Sequence, residues 1–498
     1  MNAAEAYRAL EERFRRRARV QDALSILHWD NATLMPAGAA DGRTDQIAEL
    51  TKIAREILLD PATEDLLGEA EADAGAIDGW QARNLELMRR EHRLATAIPS
   101  DLVEAMQRAG AASEMNWRTA RRENDFASQR PHLEKVFGLV REAASVRGAA
   151  LGLDPYDAQL ELFEPGLRDT DIAPVFADLG SWLPEKVAAI LERQASAETP
   201  SAPEGPFDRA IQKQLGEGLM RALGFDFEQG RLDESMHPFT GGVQDDVRLT
   251  TRYTEHGFVE AMMGILHETG HALYEQGLPK AWRGQPVGNS GGMALHESQS
   301  LIVEMQLCRG PAFVGHVAPM LAEAFGGQPA LDVANISRLV TRVRRGLIRV
   351  DADEATYPLH IILRYRLEKA LLAGDLAVAD LPGAWNDGMA DLVGVRPPDD
   401  RDGCLQDIHW MDGAVGYFPT YTLGALGAAQ LMAAVRRDVP DLDARTEAGD
   451  FAAFTGWLRE KVHARALSAT TGEVIADATG APLSADAFRT HLDARYLN

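Results

Sequence analysis

The sequence predicts a mainly α-helical protein that carries one small β-ribbon. Ala, Leu, Glu and Arg dominate most of the chain, and apolar residues recur at three- and four-residue spacing, as they do from Ala4 to Phe14. One short stretch, residues 240–253, alternates apolar and polar side chains instead. Apolar residues make up 45% of the 498 positions and charged residues 25%, which is the balance of a globular protein with a large core.

Helix boundaries are predicted where proline and glycine interrupt this pattern. The predicted breaks are residues 35–38, 99–100, 131, 153–155, 284–292 and 396–398. Residues 196–208 combine three prolines with Ser, Glu and Gly, and they are the best linker candidate. We therefore expect residues 1–498 to form a single unit with two possible sub-halves, residues 1–200 and 205–498.

The β-ribbon is predicted at about residues 240–253. Alternate positions from Val247 to Tyr253 carry apolar or β-branched side chains, and two glycines precede them. The next helix is predicted from about Thr254 to Gly277, because glycine commonly stops a helix. This helix contains the most informative motif of the chain.

The chain is strongly acidic, with 51 basic and 75 acidic side chains and a net charge of −24. This charge argues against nucleic acid as a partner. Cys308 and Cys404 cannot form a disulfide framework in a chain of this length, and the charged N-terminal segment has no apolar signal region. These features predict a protein of a reducing compartment, the cytoplasm.

Residues 413–435 hold no charged side chain over a length that suffices to span a bilayer. Four glycines, Pro419 and several polar residues make the segment only mildly apolar. We therefore expect no membrane span but a buried loop that leads into a core helix.

The motif His267-Glu268-Thr269-Gly270-His271 lies within the predicted helix 254–277. Its four-residue spacing places both imidazoles on one helical face, roughly 6 Å apart. In that arrangement two ring nitrogens can bind one Zn²⁺, and Glu268 is placed to take a proton from the attacking water. The alternative that the spacing leaves open is a pair of surface histidines.

A catalytic zinc site has a third protein ligand. The metzincin pattern is excluded, because Tyr274 and Gly277 stand where that pattern has Gly and His. Glu275 lies about 12 Å from His267 along the helix axis, which is too far to share one metal. Glu275 is therefore a solvated charge or the partner of a ligand.

Glu297 is the better candidate for the third ligand, because the segment from His296 to Gln299 opens a second predicted helix. Glu304 lies two turns later on the same face, and it either supports a ligating histidine or is an ordinary acid. His, His and Glu are the ligand set of thermolysin-type hydrolases, and this set accepts Zn²⁺ and also Co²⁺ or Mn²⁺.

Five further segments accompany the zinc motif. Together the six are HPF at 237–239, DVRLT at 246–250, HETGH at 267–271, HESQ at 296–299, IRVDAD at 348–353 and GCLQDIHW at 403–410. With WD at 29–30 and GYFPTY at 416–421, they resemble the motifs of the carboxypeptidase Taq family, peptidase family M32, over nearly the whole chain. The resemblance implies a mainly α-helical body in two halves around a deep substrate groove. It also implies a cytoplasmic homodimer that acts on peptides with a free C-terminus.

A carboxypeptidase binds the free carboxylate of its substrate, and arginine suits this task because its guanidinium forms two parallel hydrogen bonds with a carboxylate. Arg349 is the first candidate, since the resemblance assigns its motif to the C-terminus of the substrate. Asp351, Asp353 and Glu354 follow in the sequence and are expected to orient it. Without the resemblance, a structural ion-pair cluster is the alternative.

His409 is predicted to donate to the substrate carboxylate or to the oxyanion, with Gln406 and Asp407 as supporting residues. Tyr417 and Tyr421 lie in a predicted loop that contains Gly and Pro, where a phenol can stabilise the tetrahedral intermediate or serve only in packing. The resemblance favours a functional tyrosine. We prefer Tyr421 as the catalytic group and Tyr417 as a substrate-binding group.

The predicted strand 246–253 is expected to pair with an extended peptide substrate. Asp246 and Arg248 would then brace this strand. His237 either shapes the substrate groove or is a histidine of the core. His296 and Asp353 are predicted to contact and orient site residues without touching the metal or the substrate themselves.

These residues and the resemblance together predict a metal-dependent carboxypeptidase that releases C-terminal amino acids, with Glu268 as general base and acid, and the resemblance implies broad specificity. Two alternatives are a zinc oligopeptidase, which cleaves internal bonds, and a peptide-binding scaffold without turnover. The presence of Glu268 beside both histidines argues against the scaffold, because binding alone needs no general base.

Overall fold

A computed structural model describes residues 2–73, 75 and 77–498 of the chain. These residues are mainly helical, as the sequence predicts. The α-helices are α1 (Ala3–Thr33), α2 (Ala40–Leu59), α3 (Pro61–Glu71), α4 (Gly79–Ala97), α5 (Ser100–Glu123), α6 (Phe126–Leu151), α7 (Pro155–Phe163), α8 (Asp169–Ala195), α9 (Arg209–Leu223), α10 (Val259–Gly277), α11 (Met293–Leu301), α12 (Pro311–Phe325), α13 (Val333–Val340), α14 (Tyr357–Ala373), α15 (Leu381–Leu392), α16 (Phe418–Asp438), α17 (Leu442–Glu447), α18 (Ala452–Lys461), α19 (Thr471–Thr479) and α20 (Asp486–Leu492). Two π-helical segments, Ile302–Cys308 and Asp493–Leu497, continue α11 and α20.

A three-stranded sheet lies against α10. Its strands are β1 (Gly230–Glu234), β2 (Thr240–Val243) and β3 (Asp246–Thr251). β3 is the central strand, with β1 parallel to it and β2 antiparallel. β2 and β3 confirm the predicted ribbon. The sequence does not predict β1, because Leu232 is its single buried residue and no apolar alternation results.

α10 begins at Val259, five residues after the predicted start at Thr254. A turn closed by a bridge between Thr254 and Gly257 separates β3 from the helix. The end at Gly277 agrees with the prediction.

The predicted helix breaks lie between α-helices or reach only the first residue of one, Ser100 of α5 and Pro155 of α7, with one exception, Pro131, which lies inside α6. That prediction is wrong for a local reason. The missing N–H of Pro131 removes one hydrogen bond of the ladder. Because Pro131 is near the start of α6, the rest of the ladder stays intact. The buried inner face of α6, including Leu133 and Phe137, offsets this loss by hydrophobic packing.

Residues 196–208 connect α8 to α9 without a helix or strand between them. The segment packs against the body, since the Ser201 amide donates to the side chain of Asn335 at 2.8 Å and Phe207 is buried. The division of the chain into residues 1–200 and 205–498 stays a prediction.

Two large hydrophobic cores stabilise the fold. One surrounds the sheet and α10 and includes α17, α18 and α19, and the other packs α6, α8, α14, α15 and α20. α11 and α16 contribute to both, since Leu295 belongs to the first core and Ala294 to the second. These two helices therefore lie at the boundary between the cores, and close packing fixes their positions from both sides.

The uncharged segment 413–435 becomes the start and body of α16, which is buried over most of its length. This confirms the predicted core helix. α16 begins at Phe418, so Tyr421 lies in its first turn and not in a loop as predicted; Pro419 suits that first turn because it needs no amide there. No helix in the described part of the chain combines the length and apolar character that a membrane span needs.

Candidate metal centre and active site

The site is built where α10 crosses α11. A side chain at Gly270 would collide with the carbonyl oxygen of Gln299 and would lie 2.6 Å from the Cα atom of Ser300. Glycine is therefore required at this crossing. The close approach sets the face of α10 that carries His267 and His271 opposite Glu297 of α11.

α16 packs on the other side of Glu297. A Cβ atom at Gly424 would lie 2.8 Å from the Cβ atom of Glu297, so this helix also approaches without a side chain between the backbones. Ser300 donates to Glu297 Oε2 at 3.3 Å. Glu297 is buried and held between two helices.

The three predicted ligands lie together, with one atom from each within 4.8 Å of the others. His271 Nε2 is 3.4 Å from Glu297 Oε2, and His267 Nε2 is 3.9 Å from the same oxygen. Two imidazole nitrogens and a carboxylate that converge in this way fit a divalent metal with nitrogen and oxygen ligands.

Hydrogen bonds leave the Nε2 atoms of both histidines directed at Glu297. His267 Nδ1 donates to Glu304 Oε2 at 3.1 Å. His271 Nδ1 lies 2.6 Å from His296 Nδ1, and His296 Nε2 donates to Glu275 at 2.9 Å. Because His296 donates through Nε2, its Nδ1 accepts from His271. Because Nδ1 of each histidine is engaged in a hydrogen bond, Nε2 is the nitrogen that each would present to a metal.

Glu304 contacts a predicted ligand directly, and Glu275 contacts one through His296. Glu304 lies in the π-helical segment with its carboxylate beside His267, and Arg309 pairs with its other oxygen at 2.5 Å. Burial opposes ionisation, but the charge of Arg309 and the hydrogen bond to His267 outweigh it and lower the pKa of Glu304 to about 2. Glu275 acts through His296 and does not reach the ligand atoms directly.

The centre is rich in negative charge. Burial lowers the pKa of His267, but the hydrogen bond to Glu304 and the charges of Glu297 and Glu268 outweigh burial and raise that pKa to about 10. Carboxylates that stabilise a proton here also stabilise a divalent cation in its place.

Glu268 lies beside the predicted ligands and is 6% exposed. Thr240 of β2 donates its hydroxyl to Glu268 Oε2 at 2.6 Å. The sheet therefore fixes the orientation of this carboxylate, while its other oxygen makes no side-chain hydrogen bond within the described residues.

Arg349 is oriented by Asp407. Its Nε and Nη2 atoms both lie 2.9 Å from Asp407 Oδ1, and its amide donates to the Gln406 side chain at 2.9 Å. Arg364 of α14 binds the second oxygen of Asp407 at 2.6 Å and also binds Gln406. Two guanidinium groups thus share one carboxylate, which leaves an excess of one positive charge.

The acids that follow Arg349 in the sequence contact other groups. Asp351 is exposed, and Asp353 accepts hydrogen bonds from backbone amides at the start of α14. Glu354 accepts from Arg495 at 2.7 Å. The prediction that these acids orient Arg349 is therefore wrong, because the chain turns into α14 and carries their carboxylates away from the guanidinium.

An aromatic cluster surrounds Arg349. Its guanidinium lies 4.9 Å from the ring centre of Tyr421, and the Tyr421 hydroxyl is 3.2 Å from His409 Nε2. The ring of Tyr417 is 5.2 Å from that of Tyr421. Burial, and next the charge of Arg349, lower the pKa of His409 to about 4. His409 is therefore neutral at neutral pH.

Tyr357, at the start of α14, is a site residue that the sequence reasoning missed. It is buried, and its ring centre is 6.1 Å from that of Tyr421. Burial and the negative charge of Glu297 raise the pKa of Tyr357 well above its usual range, while Arg349 acts in the opposite direction. Tyr357 thus packs beside Tyr421 and is close enough to feel the charges of both Glu297 and Arg349. Its position four residues after the IRVDAD motif was the available signal.

The strand predicted at residues 246–253 forms the middle of the sheet and not an edge. β3 has a partner strand on both sides, so it has no free edge for a peptide, and that prediction is wrong. Asp246 accepts from Arg248 Nε at 2.9 Å within the strand. His237 is exposed in the loop before β2, which excludes the core alternative.

The chain also matches known proteins over its whole length. A family model described as carboxypeptidase Taq (M32) metallopeptidase matches residues 9–496. The chain belongs to this family. It is 36% identical to thermostable carboxypeptidase 1 of Thermus thermophilus over 99% of this chain and 98% of that protein. It is 33% identical to carboxypeptidase 1 of Bacillus subtilis over 96% and 95% of the two chains.

Solved structures of M32 proteins share this fold. Metallocarboxypeptidase 1 of Trypanosoma cruzi superposes with a TM-score of 0.97 at 39% identity and covers 99% of this chain and 100% of that chain. The M32 carboxypeptidase of Deinococcus radiodurans gives a TM-score of 0.92 at 35% identity, with 99% of each chain covered. The M32 chain described here is therefore a metallocarboxypeptidase, a hydrolase of the exopeptidase class, and its family implies a divalent metal.

Proposed function

We propose that this M32 chain is a zinc-dependent carboxypeptidase that releases C-terminal amino acids from peptides with broad specificity. The observation that carries the proposal is the pairing of a His, His and Glu centre with an excess positive charge on Arg349, which lies over Tyr421 in the aromatic cluster that includes Tyr357. A metal and a cation held in one site suit a peptide bond next to a free carboxylate.

His267, His271 and Glu297 would hold the metal. Zn²⁺ is our first choice because two imidazoles and one carboxylate form its usual catalytic set, and Co²⁺ or Mn²⁺ would fit the same donors. When bound, the metal polarises the scissile carbonyl and lowers the pKa of water.

Glu268 acts as general base and then as general acid. Its buried carboxylate is fixed by Thr240, so one oxygen stays directed while the other is available to take a proton from the attacking water. The same carboxyl group then donates that proton to the leaving amine.

Arg349 binds the substrate carboxylate. One net positive charge remains after Asp407 is shared between Arg349 and Arg364, and this charge is buried among aromatic rings, where it is weakly screened. His409 is neutral and contacts the Tyr421 hydroxyl, so the two groups together offer a hydrogen bond to the carboxylate or to the oxyanion.

The edge strand β2 replaces β3 as the candidate partner of an extended peptide. β2 pairs with β3 on one side only, and its Thr240 contacts Glu268 directly. We propose that the peptide lies along β2 in a groove between the two halves of the helical body. His237, before β2, and Tyr417 would then border the bound peptide. A homodimer in the cytoplasm stays a prediction from the family resemblance.

The test compares a blocked dipeptide with its C-terminally amidated twin. Wild type, Glu268→Gln and the control Glu260→Gln, which changes an exposed acid on the same helix, are each measured before chelation, after chelation and after zinc return. We expect hydrolysis of the free acid alone, by wild type and the control, and its loss with Glu268→Gln and with chelator.

Other outcomes identify the alternatives. Equal hydrolysis of the amidated peptide would show a zinc oligopeptidase instead, because such an enzyme does not need to bind a free C-terminal carboxylate. No hydrolysis by zinc-loaded wild type would indicate a peptide-binding scaffold.

A further inference from the structure

Helix α14 holds the segment that carries His409 and Tyr417 through two side chains one turn apart. Arg364 binds Gln406 and Asp407, as described above. Glu368, four residues later on the same face, contacts the other end of this segment. The mechanism proposed above assigns no role to Glu368.

Glu368 accepts three hydrogen bonds. Trp410 Nε1 donates to Oε2 at 3.1 Å, and the amide of Gly416 donates to Oε1 at 3.2 Å. The Tyr156 hydroxyl also donates to Oε1, at 2.6 Å. Trp410 directly follows His409, and Gly416 directly precedes Tyr417. The two oxygens of one carboxylate therefore fix both flanks of the loop that presents these two side chains.

Backbone hydrogen bonds such as Ala414 N–H to His409 O at 2.8 Å hold the middle of the loop internally, and the Glu368 contacts tie the loop to α14. Gly413 and Gly416 both have positive φ values, of 80° and 92°, which are conformations that glycine adopts readily. Trp410 packs edge-on against Phe137 and Trp385, so its ring is fixed once its N–H is bound.

A carboxylate is a costly choice at this position. Glu368 is 0% exposed, and within the described residues its hydrogen-bond partners are all neutral donors. Burial raises the pKa of Glu368 to about 7. An uncharged acceptor would avoid this desolvation penalty, but one amide oxygen cannot replace two carboxylate oxygens that serve Trp410 and Gly416 separately.

We propose that Glu368 is a positioning residue, which acts through His409 and Tyr417 by fixing the loop between them. The inference rests on the proposed function. Its consequence is specific: loss of Glu368 should lower turnover more than it weakens capture of the substrate carboxylate, because Arg349, the main carboxylate-binding group, is held by Asp407 and Gln406 at the other end of the segment.

The experiment compares Glu368→Gln with a matched control, Asp169 of α8, whose carboxylate also binds side chains of α14. Asp169→Asn weakens hydrogen bonds of 2.5 Å and 2.6 Å from Tyr365 and Lys369 of α14, but it leaves residues 406–417 untouched. For Glu368→Gln we expect kcat on the blocked dipeptide to fall about tenfold or more, with KM changed less than about threefold. The control should keep both values within about twofold of wild type.

A cycle with the residues that Glu368 positions separates this role from general loosening. If Glu368 acts through His409 and Tyr417, then Glu368→Gln introduced into the His409→Gln/Tyr417→Phe variant should lower kcat less than about twofold further. A full additional tenfold loss in that background would overturn the proposal.

Hydrogen exchange measured by mass spectrometry provides a readout that does not depend on activity. Glu368→Gln should increase exchange within residues 409–417, and Asp169→Asn should not. If wild type shows no carboxypeptidase activity, the proposed function fails while this readout still tests the contact. Unchanged exchange in that loop overturns the inference even when the enzyme is active. Where Glu368→Gln does not fold, Glu368→Asp, which keeps the charge but shortens the reach, is measured in the same way.

Discussion

Gly270 of α10 lies directly against the backbone of Gln299 in α11, and this contact sets the distance between the helices that carry the predicted metal ligands. The motif is therefore more than two histidines and a base. Its glycine determines that a third ligand, on a separate helix, lies within reach of both imidazoles.

Replacement of Gly270 by alanine should separate α10 from α11. The new methyl group would collide with the Gln299 carbonyl, so we expect a loss of about 1–3 kcal/mol in unfolding free energy and at least a tenfold loss of zinc affinity. Gly264→Ala, on the same helix as Gly270, is the control. The nearest neighbour of the Cβ atom added there, Pro238 Cγ, is 3.8 Å away. Urea unfolding and zinc titration of both variants measure the effects; equal behaviour of the two would contradict the packing argument.

Removal of the Glu304 carboxylate should weaken the metal site without removing a ligand. Glu304→Gln cannot accept a charge-assisted hydrogen bond from His267 Nδ1, so we expect zinc affinity to fall about 10- to 100-fold. Competition with a chelator of known affinity measures this change. Glu323→Gln, an exposed acid in α12, should leave affinity unaltered.

Loss of the Arg349 guanidinium should abolish preference for a free C-terminus. With Arg349→Gln we expect kcat/KM for the free acid to fall about 100- to 1000-fold, chiefly through KM. The fold should survive because Asp407 keeps Arg364 as its partner. Arg396→Gln, which removes an exposed ion pair, is the control. A normal ratio of free-acid to amide hydrolysis in Arg349→Gln would assign carboxylate binding elsewhere.

The buried side chain of His360 should make the stability of the metal-free protein sensitive to acid. Burial lowers the pKa of His360 to about 3, against roughly 6.5 in an unfolded chain. The unfolded state therefore binds more protons between these values, so the stabilising contribution is present above pH 6.5 and is lost as the pH falls. His360 alone should cost about 2 kcal/mol between pH 6.5 and pH 5.

The His360→Leu variant isolates this contribution, because the other titrating groups remain. Urea unfolding of the chelated wild type and variant at pH 7 and pH 5 should show a smaller loss for the variant. Equal losses would mean that His360 is already protonated in the folded protein.

Local periodicity explains why much of the fold could be predicted. Helix spacing places His267 and His271 on one face whatever surrounds them, and it identifies Glu297 at the start of the next helix. The α10 start was misplaced because residues 252–258 have no strong turn signal apart from Gly257. β1 was missed because its pairing with β3 depends on a parallel neighbour distant in sequence.

The sequence by itself determined the helical class, the family, the spacing within the HETGH helix and the residues that resemble known motifs. The tertiary structure alone decided that Asp407 orients Arg349, that β2 and not β3 is the edge beside Glu268, and that Glu368 joins α14 to the His409 loop. The reason is physical. Spacing along a helix follows from backbone geometry, whereas a hydrogen bond between distant residues exists only after helices have packed at a particular distance and rotation.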